Sequence, residues 1–373
     1  MRVLHLYKDY APVIGGIENH IGELARGLRG CGIDAQVLVT STGRASERLT
    51  LDGVPVTKAG RLLSVSSAPV SLAYYPLLYR MEQGIDIAHA HSPYPPGELG
   101  QLFLGRSRRF VISYHSDIVR QKRLGALYRP FLRQVLRRAA LISVASPAYI
   151  QTSPFLSAVS DKCRVIPYGL EVDDYLPSPA QEREAAAWRA RYGNKPLLLF
   201  VGKLRHYKGL HILLDAMHQI DAHLLVMGSG MMEQAWRQKS EDEGLAAKVT
   251  FLGEAPDSDK LIAYHAADLF VLPSTNRAEA FGIVLTEAMA AGLPLISTEL
   301  GTGTSFINQH EETGLVVPPE DAPALAAAIN RLLGDAPLRH RMGEAAQARA
   351  RAVFSKETML TRMIALYQEA LQA

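Results

Sequence analysis

The sequence predicts an α/β protein made of two doubly wound domains, in which parallel sheets are covered by helices on both faces. The chain has 373 residues, a length that favours two domains. Short apolar strands alternate with segments of helical periodicity in both halves, which is typical of βαβ units. A segment at 168–196, rich in proline, glycine and charged residues, separates the two runs. It predicts a first domain over 1–175 and a second over 176–355.

Composition favours a cytoplasmic globular protein. Hydrophobic residues make up 48% of the chain and charged residues 21%, which is ordinary for a globular domain. No apolar run reaches the length of a membrane span, and the chain begins with a strand-like segment instead of a signal peptide. Cys31 and Cys163 are the only cysteines, and they show neither metal-ligand nor disulfide spacing. We therefore expect a reducing compartment.

Positive charge is concentrated in the first half of the chain. Residues 1–195 hold 25 Lys and Arg against 16 Asp and Glu, a balance of +9. The remainder holds 15 against 21, a balance of −6. Within 105–138, ten basic residues accompany a single acidic residue, Asp117. This basic patch predicts an anionic binding partner such as lipid head groups, phosphates or nucleic acid.

The basic patch includes a predicted amphipathic helix. Its apolar side chains are Leu124, Leu127, Phe131, Val135 and Leu136. Such a helix can lie on an anionic bilayer, with each cation contributing on the order of 1 kcal/mol. The alternative is a helix packed on the sheet with a solvated arginine face. We expect packing together with weak membrane docking, and no nucleic acid, because the patch lacks interleaved aromatic residues.

The first predicted strand, at 2–7, is followed by Gly15 and Gly16 and then by a helix with apolar residues at helical spacing. A strand, a glycine pair and a helix start form the phosphate-cradling turn of doubly wound folds. Gly15 and Gly16 are therefore candidate binding residues, although most glycine pairs in loops are plain turns.

Histidines occur at the ends of two predicted strands in the first half. His89 and His91 end one strand, and His115 ends the next. Ligands of parallel sheets bind at the carboxyl ends of the strands, so His91 and His115 are candidate site residues. A single histidine is more often a hydrogen-bonded structural residue, and that alternative stays open here.

Two patterns are compatible with a metal site, and we expect neither to bind one. His89 and His91 form an H-x-H pair, but no nearby Asp, Glu or Cys completes a ligand set. Asp257 and Asp259 form a D-x-D pair at the start of a predicted helix, where aspartates serve as caps. The sequence therefore predicts no metal and no cofactor.

In the second half, a predicted strand at 197–202 is followed by a loop with three basic residues. These are Lys203, Arg205 and Lys208. Two lysines five residues apart between glycines suit the binding of a diphosphate in a first βα turn. The next strand is followed by a second glycine turn with Gly228 and Gly230. Lysines that simply face solvent are the alternative.

The chain is organised around 273–292, where Glu279 and Glu287 lie between two apolar strands with seven residues separating them. The residues Phe281, Gly282 and Ile283 are predicted to start a helix. Such an N-terminus binds phosphate through free N–H groups and the helix dipole. Two carboxylates there would repel phosphate unless hydroxyl groups occupy them. A nucleotide sugar supplies both a diphosphate for the helix N-terminus and hydroxyl groups for the carboxylates. The alternative is an ordinary strand-loop-helix unit with two surface glutamates.

This pattern resembles the E-x(7)-E signature of retaining glycosyltransferases of the GT-B fold, in particular family 4. The segment HSDIV at 115–119 is similar to one in bacterial members that act on lipid-linked or surface-polysaccharide acceptors, many of them mannosyltransferases. The glycine pair, the lysine loop and the second glycine turn occur in the family's order, so the resemblance covers nearly the whole chain. The chain departs from the family at Lys203, where arginine is usual, because lysine keeps the charge but loses the bidentate fork.

The resemblance implies two Rossmann-like domains facing across a cleft, with a final helix at 356–373 that packs back on the first domain. It implies retaining transfer of a sugar from a nucleotide sugar to a hydroxyl group, by front-side displacement without metal. The favoured donor is GDP-mannose, followed by UDP-sugars. The favoured acceptor is a lipid-linked saccharide or a polysaccharide in lipopolysaccharide O-antigen or exopolysaccharide synthesis. We therefore expect a peripheral protein on the inner face of the cytoplasmic membrane.

The resemblance also implies roles for individual residues. Catalytic roles fall on His115, Lys208 and Glu279. The donor is expected to contact Gly15, Gly16, Lys203, Arg205, Lys208, Gly228, Gly230, Glu279, Ala280, Phe281, Gly282, Ile283 and Glu287, with Glu279 on the sugar and Glu287 on the ribose diol. The acceptor side is expected to include Glu18, His20, His91 and Asp117.

Two other functions remain compatible with these residues. A sugar-nucleotide epimerase of the same fold would release a free or epimerised sugar without any acceptor. A non-catalytic subunit would bind a nucleotide sugar but show neither transfer nor slow hydrolysis of the donor. A dehydrogenase is disfavoured, because the first glycine turn lacks G-x-G-x-x-G.

Overall fold

The computed structural model describes residues 1–13, 15–65, 68–117, 122–193 and 195–373, and the side chains of all of these except 65, 68 and 122–126. The chain forms two compact units. Unit 1 comprises Met1–Gly169 and Lys356–Ala373, and unit 2 comprises Leu170–Ser355. The boundary follows Gly169, whereas the sequence predicts it after residue 175. Within the described ranges, no helix is both long and apolar enough to cross a membrane.

Some of the residues used in the sequence-based predictions lie outside this description. They are Ile118 and Val119 of the HSDIV segment, the side chain of Leu124, and three basic side chains of the patch at 120, 122 and 123.

Strands and helices alternate along both units. Residues 1–169 contain β1 (Arg2–Leu6), α1 (Gly16–Gly30), β2 (Asp34–Thr40), β3 (Glu47–Leu51), β4 (Val54–Ala59), β5 (Leu63–Val65), β6 (Ala68–Val70), α2 (Tyr74–Met81), β7 (Ile87–Ser92), α3 (Pro95–Leu104), β8 (Arg109–Tyr114), α4 (Lys122–Arg138), β9 (Leu141–Val144), α5 (Pro147–Thr152) and β10 (Cys163–Val165). Residues 170–355 contain α6 (Pro179–Arg191), β11 (Leu197–Val201), α7 (Leu210–Met217), β12 (His223–Met227), α8 (Glu233–Asp242), β13 (Val249–Gly253), α9 (Asp257–Ala266), β14 (Leu269–Leu272), α10 (Ile283–Ala290), β15 (Leu295–Thr298), α11 (Thr304–Ile307), β16 (Gly314–Val317), α12 (Ala322–Gly334) and α13 (Ala336–Phe354). The last helix is α14 (Lys356–Gln372).

Each unit is built on one large sheet. The sheet of unit 1 has the strand order β10-β9-β8-β7-β1-β2-β4-β3, and that of unit 2 has β13-β12-β11-β14-β15-β16. Every neighbouring pair is parallel except β3 with β4. The order reverses between β1 and β7 in unit 1, and between β11 and β14 in unit 2. Ligands of doubly wound sheets bind outside the carboxyl ends of the strands at such a switch point.

The central strands are buried on both faces, which explains their continuous apolar runs. All side chains of β11 (LLLFV) and β14 (LFVL) are buried. Two helices of unit 2, α12 and α13, carry local start signals. The Asp321 and Asp335 side chains accept hydrogen bonds from the backbone N–H groups of Ala324 and Leu338, which caps α12 and α13. The predicted α/β class is confirmed.

An antiparallel edge of the first sheet is absent from the sequence-based prediction. Strands β3 and β4 are joined by Asp52 and Gly53, whose φ angles are 48° and 77°. An Asp-Gly pair adopts two positive φ angles at little cost and closes a two-residue hairpin. The signal is therefore present in the sequence, and the expectation of a wholly parallel sheet is wrong at this edge.

The C-terminal helix belongs to unit 1. Gly27 allows α1 to approach α14 closely, because a Cβ at this position would lie 2.7 Å from both terminal methyl carbons of Leu360. Arg109 Nε donates to the Ala370 carbonyl at 2.9 Å, which ties β8 to the end of α14. Residues 356–373 therefore complete the core of unit 1 although they follow unit 2 in sequence.

The buried face of α4 differs from the sequence-based prediction. The side chains that pack inward are Tyr128, Leu132, Val135 and Leu136. Their spacing of four, three and one places them on one helical face. The expectation that Leu127 and Phe131 pack on the sheet is wrong, since they are 74% and 42% exposed. Pro130 lies inside the helix.

Candidate active site

At the switch point of unit 2, Lys208 and Glu279 form a buried ion pair. The Lys208 Nζ lies 2.6 Å from Glu279 Oε2, and the two side chains are 10% and 9% exposed. The Ser274 hydroxyl donates to the same carboxylate oxygen at 3.1 Å. The loops after β11 and β14 therefore bring together two of the three residues predicted to be catalytic.

Close backbone packing between these two loops holds the pair in place. The Thr275 N–H donates to the Tyr207 carbonyl at 2.8 Å. Gly209 follows Lys208 with a φ of 72°, and a Cβ at this position would overlap the carbonyl oxygen of Pro273. Only glycine allows both this backbone angle and this approach.

Lys208 is a permanent cation at neutral pH. Burial alone would lower the pKa of its ammonium group, but the nearby Glu279 carboxylate and Tyr207 outweigh this effect, so the pKa is raised. A group that neutralises a diphosphate must keep its charge in a buried site, and Lys208 meets this condition.

The second glycine turn packs against the first loop. Gly228 has a φ of 128°, and a Cβ there would overlap the Gly202 carbonyl. A Cβ on Gly230 would lie 2.6 Å from the carbonyl oxygen of Leu204. The Leu204 N–H donates to the Ser229 carbonyl at 2.8 Å. The predicted glycine positions thus form one wall of the loop that carries the basic residues.

Lys203 and Arg205 differ from Lys208 in their surroundings, since both are exposed. The Lys203 Nζ lies 3.8 Å from Glu254 Oε1 in a pair whose side chains are 57% and 72% exposed. A pair at this distance in water contributes little to stability. The two side chains can therefore move toward a ligand without breaking a strong contact.

The helix N-terminus predicted from the sequence is present at the start of α10. Gly282 precedes the helix with a φ of 92°, and Ile283 is the first helical residue. Phe281 is buried, and the Ala280 carbonyl accepts a hydrogen bond from the Gly303 N–H at 2.9 Å. The free N–H groups of α10 therefore begin four residues after Glu279 in a well-packed loop.

Glu287 lies inside α10, and two residues of α9 orient its carboxylate. The Tyr264 hydroxyl donates to Glu287 Oε2 at 2.9 Å, and Lys260 Nζ lies 3.3 Å from the same oxygen. Burial alone would lower the pKa of Lys260, but the Glu287 and Asp257 carboxylates outweigh it, and the pKa is raised. Sequence reasoning does not find Lys260 and Tyr264. Their one signal is the spacing of four residues, which places them on one face of a helix.

In unit 1, the predicted glycine pair forms the N-terminus of α1. Gly15 is the cap and Gly16 the first helical residue. The carboxylate of Glu18 folds back over Gly15, so that a Cβ on Gly15 would overlap Glu18 Oε2. The pKa of Glu18 is raised, mainly by burial. Glu18 thus covers the helix end that the sequence assigns to a phosphate.

The predicted histidines of unit 1 belong to a buried cluster at its switch point. The cluster consists of His5, His20, His89, His91 and His115, and none is more than 7% exposed. His91 Nδ1 lies 2.9 Å from His115 Nε2, and His115 Nδ1 lies 2.6 Å from the Tyr168 hydroxyl oxygen. A direct acceptor contact by His91 or His115 would therefore require a ring nitrogen to give up an existing hydrogen bond.

Asp117 is anchored next to this cluster. Its Oδ1 accepts hydrogen bonds from the hydroxyls of Tyr114 at 2.8 Å and Ser153 at 2.7 Å, and its N–H donates to the Tyr149 hydroxyl at 2.9 Å. These contacts fix the carboxylate after β8, where the resemblance implies an acceptor contact.

Three histidines of the cluster lie close enough to hold a metal ion. The ring nitrogens concerned, on His5, His89 and His91, lie within 4.8 Å of one another. The set contains neither a carboxylate nor a thiolate, so a divalent cation would carry its full charge into the interior. Five of the six ring nitrogens already have hydrogen-bond partners. Hydrogen bonding explains the arrangement better than a metal ion does.

Comparison with known families agrees with the geometry of both units. Residues 182–349 match the family described as "Glycosyl transferases group 1", and residues 15–169 match the "Glycosyl transferase 4-like domain". The O-antigen chain mannosyltransferase C of Escherichia coli is 37% identical over all of both chains. The D-rhamnosyltransferase WbpZ of Pseudomonas aeruginosa is 39% identical over 95% of this chain and 92% of its own length.

Among solved structures, the crystal structure of Anabaena Alr3699/HepE in complex with UDP has a TM-score of 0.83. It is 22% identical and covers 99% of this chain and 100% of that chain. This likeness shows the fold, which is GT-B. The chain belongs to the GT4-like family of bacterial glycosyltransferases.

Proposed function

We propose that this glycosyltransferase moves mannose from GDP-mannose to a hydroxyl group of a lipid-linked or polysaccharide acceptor in O-antigen synthesis, with retention of configuration and without a metal ion. The observation that carries the proposal is the Lys208–Glu279 pair beside the start of α10, with Glu287 on the same helix. Two relatives that share more than a third of their residues with this chain are an O-antigen chain mannosyltransferase and a D-rhamnosyltransferase.

In this proposal, unit 2 binds the donor through cations and amides on the diphosphate and carboxylates on the hydroxyl groups. Lys208 and the N-terminal amides of α10 neutralise the diphosphate. The exposed side chains of Lys203 and Arg205 move toward it and add further positive charge. Glu279 accepts from the sugar hydroxyls, and Glu287 accepts from the ribose diol. Tyr264 and Lys260 hold Glu287 Oε2, which leaves Oε1 to face the diol.

The reaction proposed is a displacement on one face of the sugar. The bond between the anomeric carbon and the phosphate oxygen breaks, and the acceptor oxygen bonds to that carbon from the same side. The acceptor proton passes to the departing phosphate oxygen. Lys208 stabilises the negative charge that develops there, and loss of one such group typically lowers turnover about 10²–10³-fold.

Unit 1 is proposed to contribute the acceptor side. The groups proposed for this side are His20, His115, Asp117 and Glu18. The His20 ring packs against Tyr168, and hydrogen bonds to neighbouring side chains hold His115 and Asp117. Gly15 and Gly16 add no side chain of their own at the end of α1, where the Glu18 carboxylate lies. His91 is fully buried, so in this scheme it hydrogen-bonds to His115 and does not contact the acceptor itself.

A membrane surface is the proposed partner of α3 and α4. These helices contact each other, and their described residues expose four large apolar side chains, Phe103, Leu104, Leu127 and Phe131. Arg129, Arg133 and Arg137 are exposed on α4 as well. Apolar groups flanked by cations suit an interface with anionic lipid. Docking would bring the enzyme to a lipid-linked acceptor on the inner face of the cytoplasmic membrane.

The test begins with binding, because a ligand that binds the folded state raises the melting temperature. We expect GDP-mannose to raise it more than UDP-glucose does. Transfer to a lipid-linked mannoside should then give an α-linked product in the proton NMR spectrum, at the same rate with and without EDTA. A β-linked product would exclude retention. Loss of activity in EDTA would exclude the metal-free scheme, and release of an epimerised sugar without acceptor would favour an epimerase.

A further inference from the structure

Three histidines of unit 1 form a continuous hydrogen-bonded chain that ends at a tyrosine. His5 Nδ1 lies 3.0 Å from His91 Nε2, and His91 Nδ1 lies 2.9 Å from His115 Nε2. His115 Nδ1 lies 2.6 Å from the Tyr168 hydroxyl oxygen. The chain therefore runs from β1 through β7 to the residue after β8, across the switch point of the sheet.

Each imidazole of this chain is neutral, which restricts its hydrogen bonds. Burial, reinforced by the neighbouring histidines, lowers the pKa of His5 to about 3 and places those of His91 and His115 well below the usual value. A neutral imidazole has one N–H and one lone pair. Every ring must donate on one side and accept on the other, so all the bonds run in one direction. A single reversed ring would set two hydrogens or two lone pairs against each other.

The buried end of the chain selects the direction. His5 Nε2 has no hydrogen-bond partner among the residues that the structure describes. In one direction this atom is a lone pair, and in the other it is an N–H. Among buried backbone groups an orphaned N–H is rarer than an under-satisfied acceptor. The same preference places the hydrogen of His5 on Nδ1, and His91 and His115 then carry theirs on Nδ1 as well.

We propose that His5 and His91 are positioning residues that hold His115 in its Nδ1–H tautomer and thereby fix the direction of the Tyr168 hydroxyl. His115 then donates to the Tyr168 oxygen, so the phenolic hydrogen points away from His115. Tyr168 is a hydrogen-bond donor of fixed direction at the edge of the cluster. A fixed pattern of hydrogen bonds keeps His115 in one orientation, and this inference rests on the proposed function of unit 1 as the acceptor side, to which His115 belongs.

The first test measures tautomers, which do not depend on glycosyl transfer. In the full-length protein with ¹⁵N-labelled histidine, two-bond ¹H–¹⁵N spectra distinguish Nδ1–H from Nε2–H rings. We expect Nδ1–H for His5, His91 and His115 at pH 7.5. Nε2–H for His115, or a mixture of both forms, would overturn the proposal.

A matched pair of variants tests whether the direction is transmitted along the chain. His5→Leu removes the donor at the buried end, and we expect the His115 signal to shift toward Nε2–H. His89→Leu is the control, because His89 is equally buried but bonds to Tyr367 and Ser113 outside the chain. An unchanged His115 tautomer in His5→Leu would show that His5 has no such influence.

Kinetics then separate positioning from a merely structural effect. We expect His5→Leu to lower kcat about tenfold, as the loss of one hydrogen bond would, with the donor KM unchanged. His5→Asn, whose amide can donate from the Nδ1 position, should recover most of this loss, and His89→Leu should stay within about twofold of wild type. Equal losses in the two leucine variants would indicate a structural role only.

The remaining outcomes are also decisive. If the wild-type enzyme transfers no sugar, the proposed function fails while the tautomer result stands on its own. If His5→Leu does not fold, the comparison moves to His5→Asn and His5→Gln, whose amides occupy the Nδ1 and Nε2 positions respectively. Equal kcat values and equal His115 tautomers in those two variants would overturn the inference.

Discussion

The ammonium of Lys208 and the carboxylate of Glu279 lie 2.6 Å apart at the carboxyl ends of β11 and β14, and little of either side chain reaches solvent. A buried charge that loses its partner is strongly destabilising, so this pair links the stability of unit 2 to its chemistry. The group proposed to stabilise the leaving diphosphate is held by the group proposed to bind the transferred sugar. Variants at the two positions should therefore have different consequences.

Glu279→Gln should destabilise unit 2, because Lys208 would keep its charge in a buried place without a counter-charge. We expect the free energy of unfolding to fall by about 3 kcal/mol. Both tryptophans, Trp188 and Trp236, lie in unit 2, so their fluorescence during urea unfolding reports this unit. The control is Asp221→Asn, which breaks an exposed pair with Lys195 and should cause no measurable change. Similar losses in both variants would contradict the prediction.

Lys208→Ala should lower turnover far more than donor binding. The lysine is expected to act on charge that develops as the donor bond breaks, so kcat should fall about 10²–10³-fold. Lys203→Ala is the comparison, because Lys203 is exposed and should affect donor affinity more than turnover. Steady-state rates and calorimetric binding of GDP-mannose separate the two effects. Turnover near the wild-type value in Lys208→Ala would remove this residue from the site.

Glu287 is proposed to bind the ribose diol, and a donor that lacks one hydroxyl tests this directly. GDP-mannose with a 2′-deoxyribose should bind the wild-type enzyme about tenfold more weakly, since a lost hydrogen bond to a charged group costs about 1.5 kcal/mol or more. In Glu287→Gln the same change of donor should have a much smaller effect. Tyr264→Phe should give an intermediate result, because it releases only one contact to the carboxylate. If calorimetry shows that Glu287→Gln and the loss of the ribose hydroxyl change the binding free energy independently and additively, Glu287 does not contact the diol.

The buried histidines should make unit 1 sensitive to acid. Burial, reinforced for all but His20 by neighbouring histidines, lowers the pKa of His5 to about 3, of His20 to about 4, and of His89, His91 and His115 well below the usual value. The unfolded chain takes up these protons near pH 6.5, whereas the folded chain does not. The contribution of these neutral rings to the free energy of unfolding is therefore fully present above pH 6.5. It is lost as the pH falls, by up to about 1.4 kcal/mol per pH unit for each ring.

Urea unfolding followed by circular dichroism between pH 7.5 and 5 measures this slope. His89→Phe should reduce this slope by the contribution of about one proton, because one buried imidazole is lost. His340→Gln should leave the slope unchanged, since this side chain is 79% exposed. A flat dependence between these pH values would show that the cluster is not held neutral.

Charge and apolar contact should both contribute to membrane docking. We expect the protein to sediment with vesicles that contain anionic phosphatidylglycerol and not with neutral vesicles, and high salt should weaken this binding. Phe131→Ser, or Arg133→Glu with Arg137→Glu, should reduce the partition coefficient at least about tenfold, at roughly 1 kcal/mol for each cation. Arg183→Glu with Arg191→Glu, on α6 of unit 2, changes the net charge by the same amount and is the control. Unchanged binding in the α4 variants would place the membrane contact elsewhere.

Much of the fold can be predicted from the sequence because its signals are local. Apolar runs buried on both faces mark the strands, and caps and glycines mark the ends of helices. The start of α10 between Glu279 and Glu287 follows from a strand, a glycine and an apolar helix in succession. The Asp52–Gly53 hairpin carries an equally local signal, and its omission is an error of interpretation.

The faces of α4 could not be assigned in the same way. Two apolar stripes, one through Leu127 and Phe131 and one through Tyr128 and Leu132, run along the same helix. Periodicity identifies both stripes but not the one that meets the sheet. That choice depends on the neighbouring α3, with which α4 packs.

The sequence alone determined the alternation of strands and helices, the family, and the residue types at the candidate site, since each depends on neighbours within a few positions. Only the tertiary structure decided which of these residues meet. Lys208 pairs with Glu279, and His5 reaches His115 through His91, because the order of strands in each sheet places distant segments side by side. That order is set by the packing of whole layers, and no local pattern encodes it.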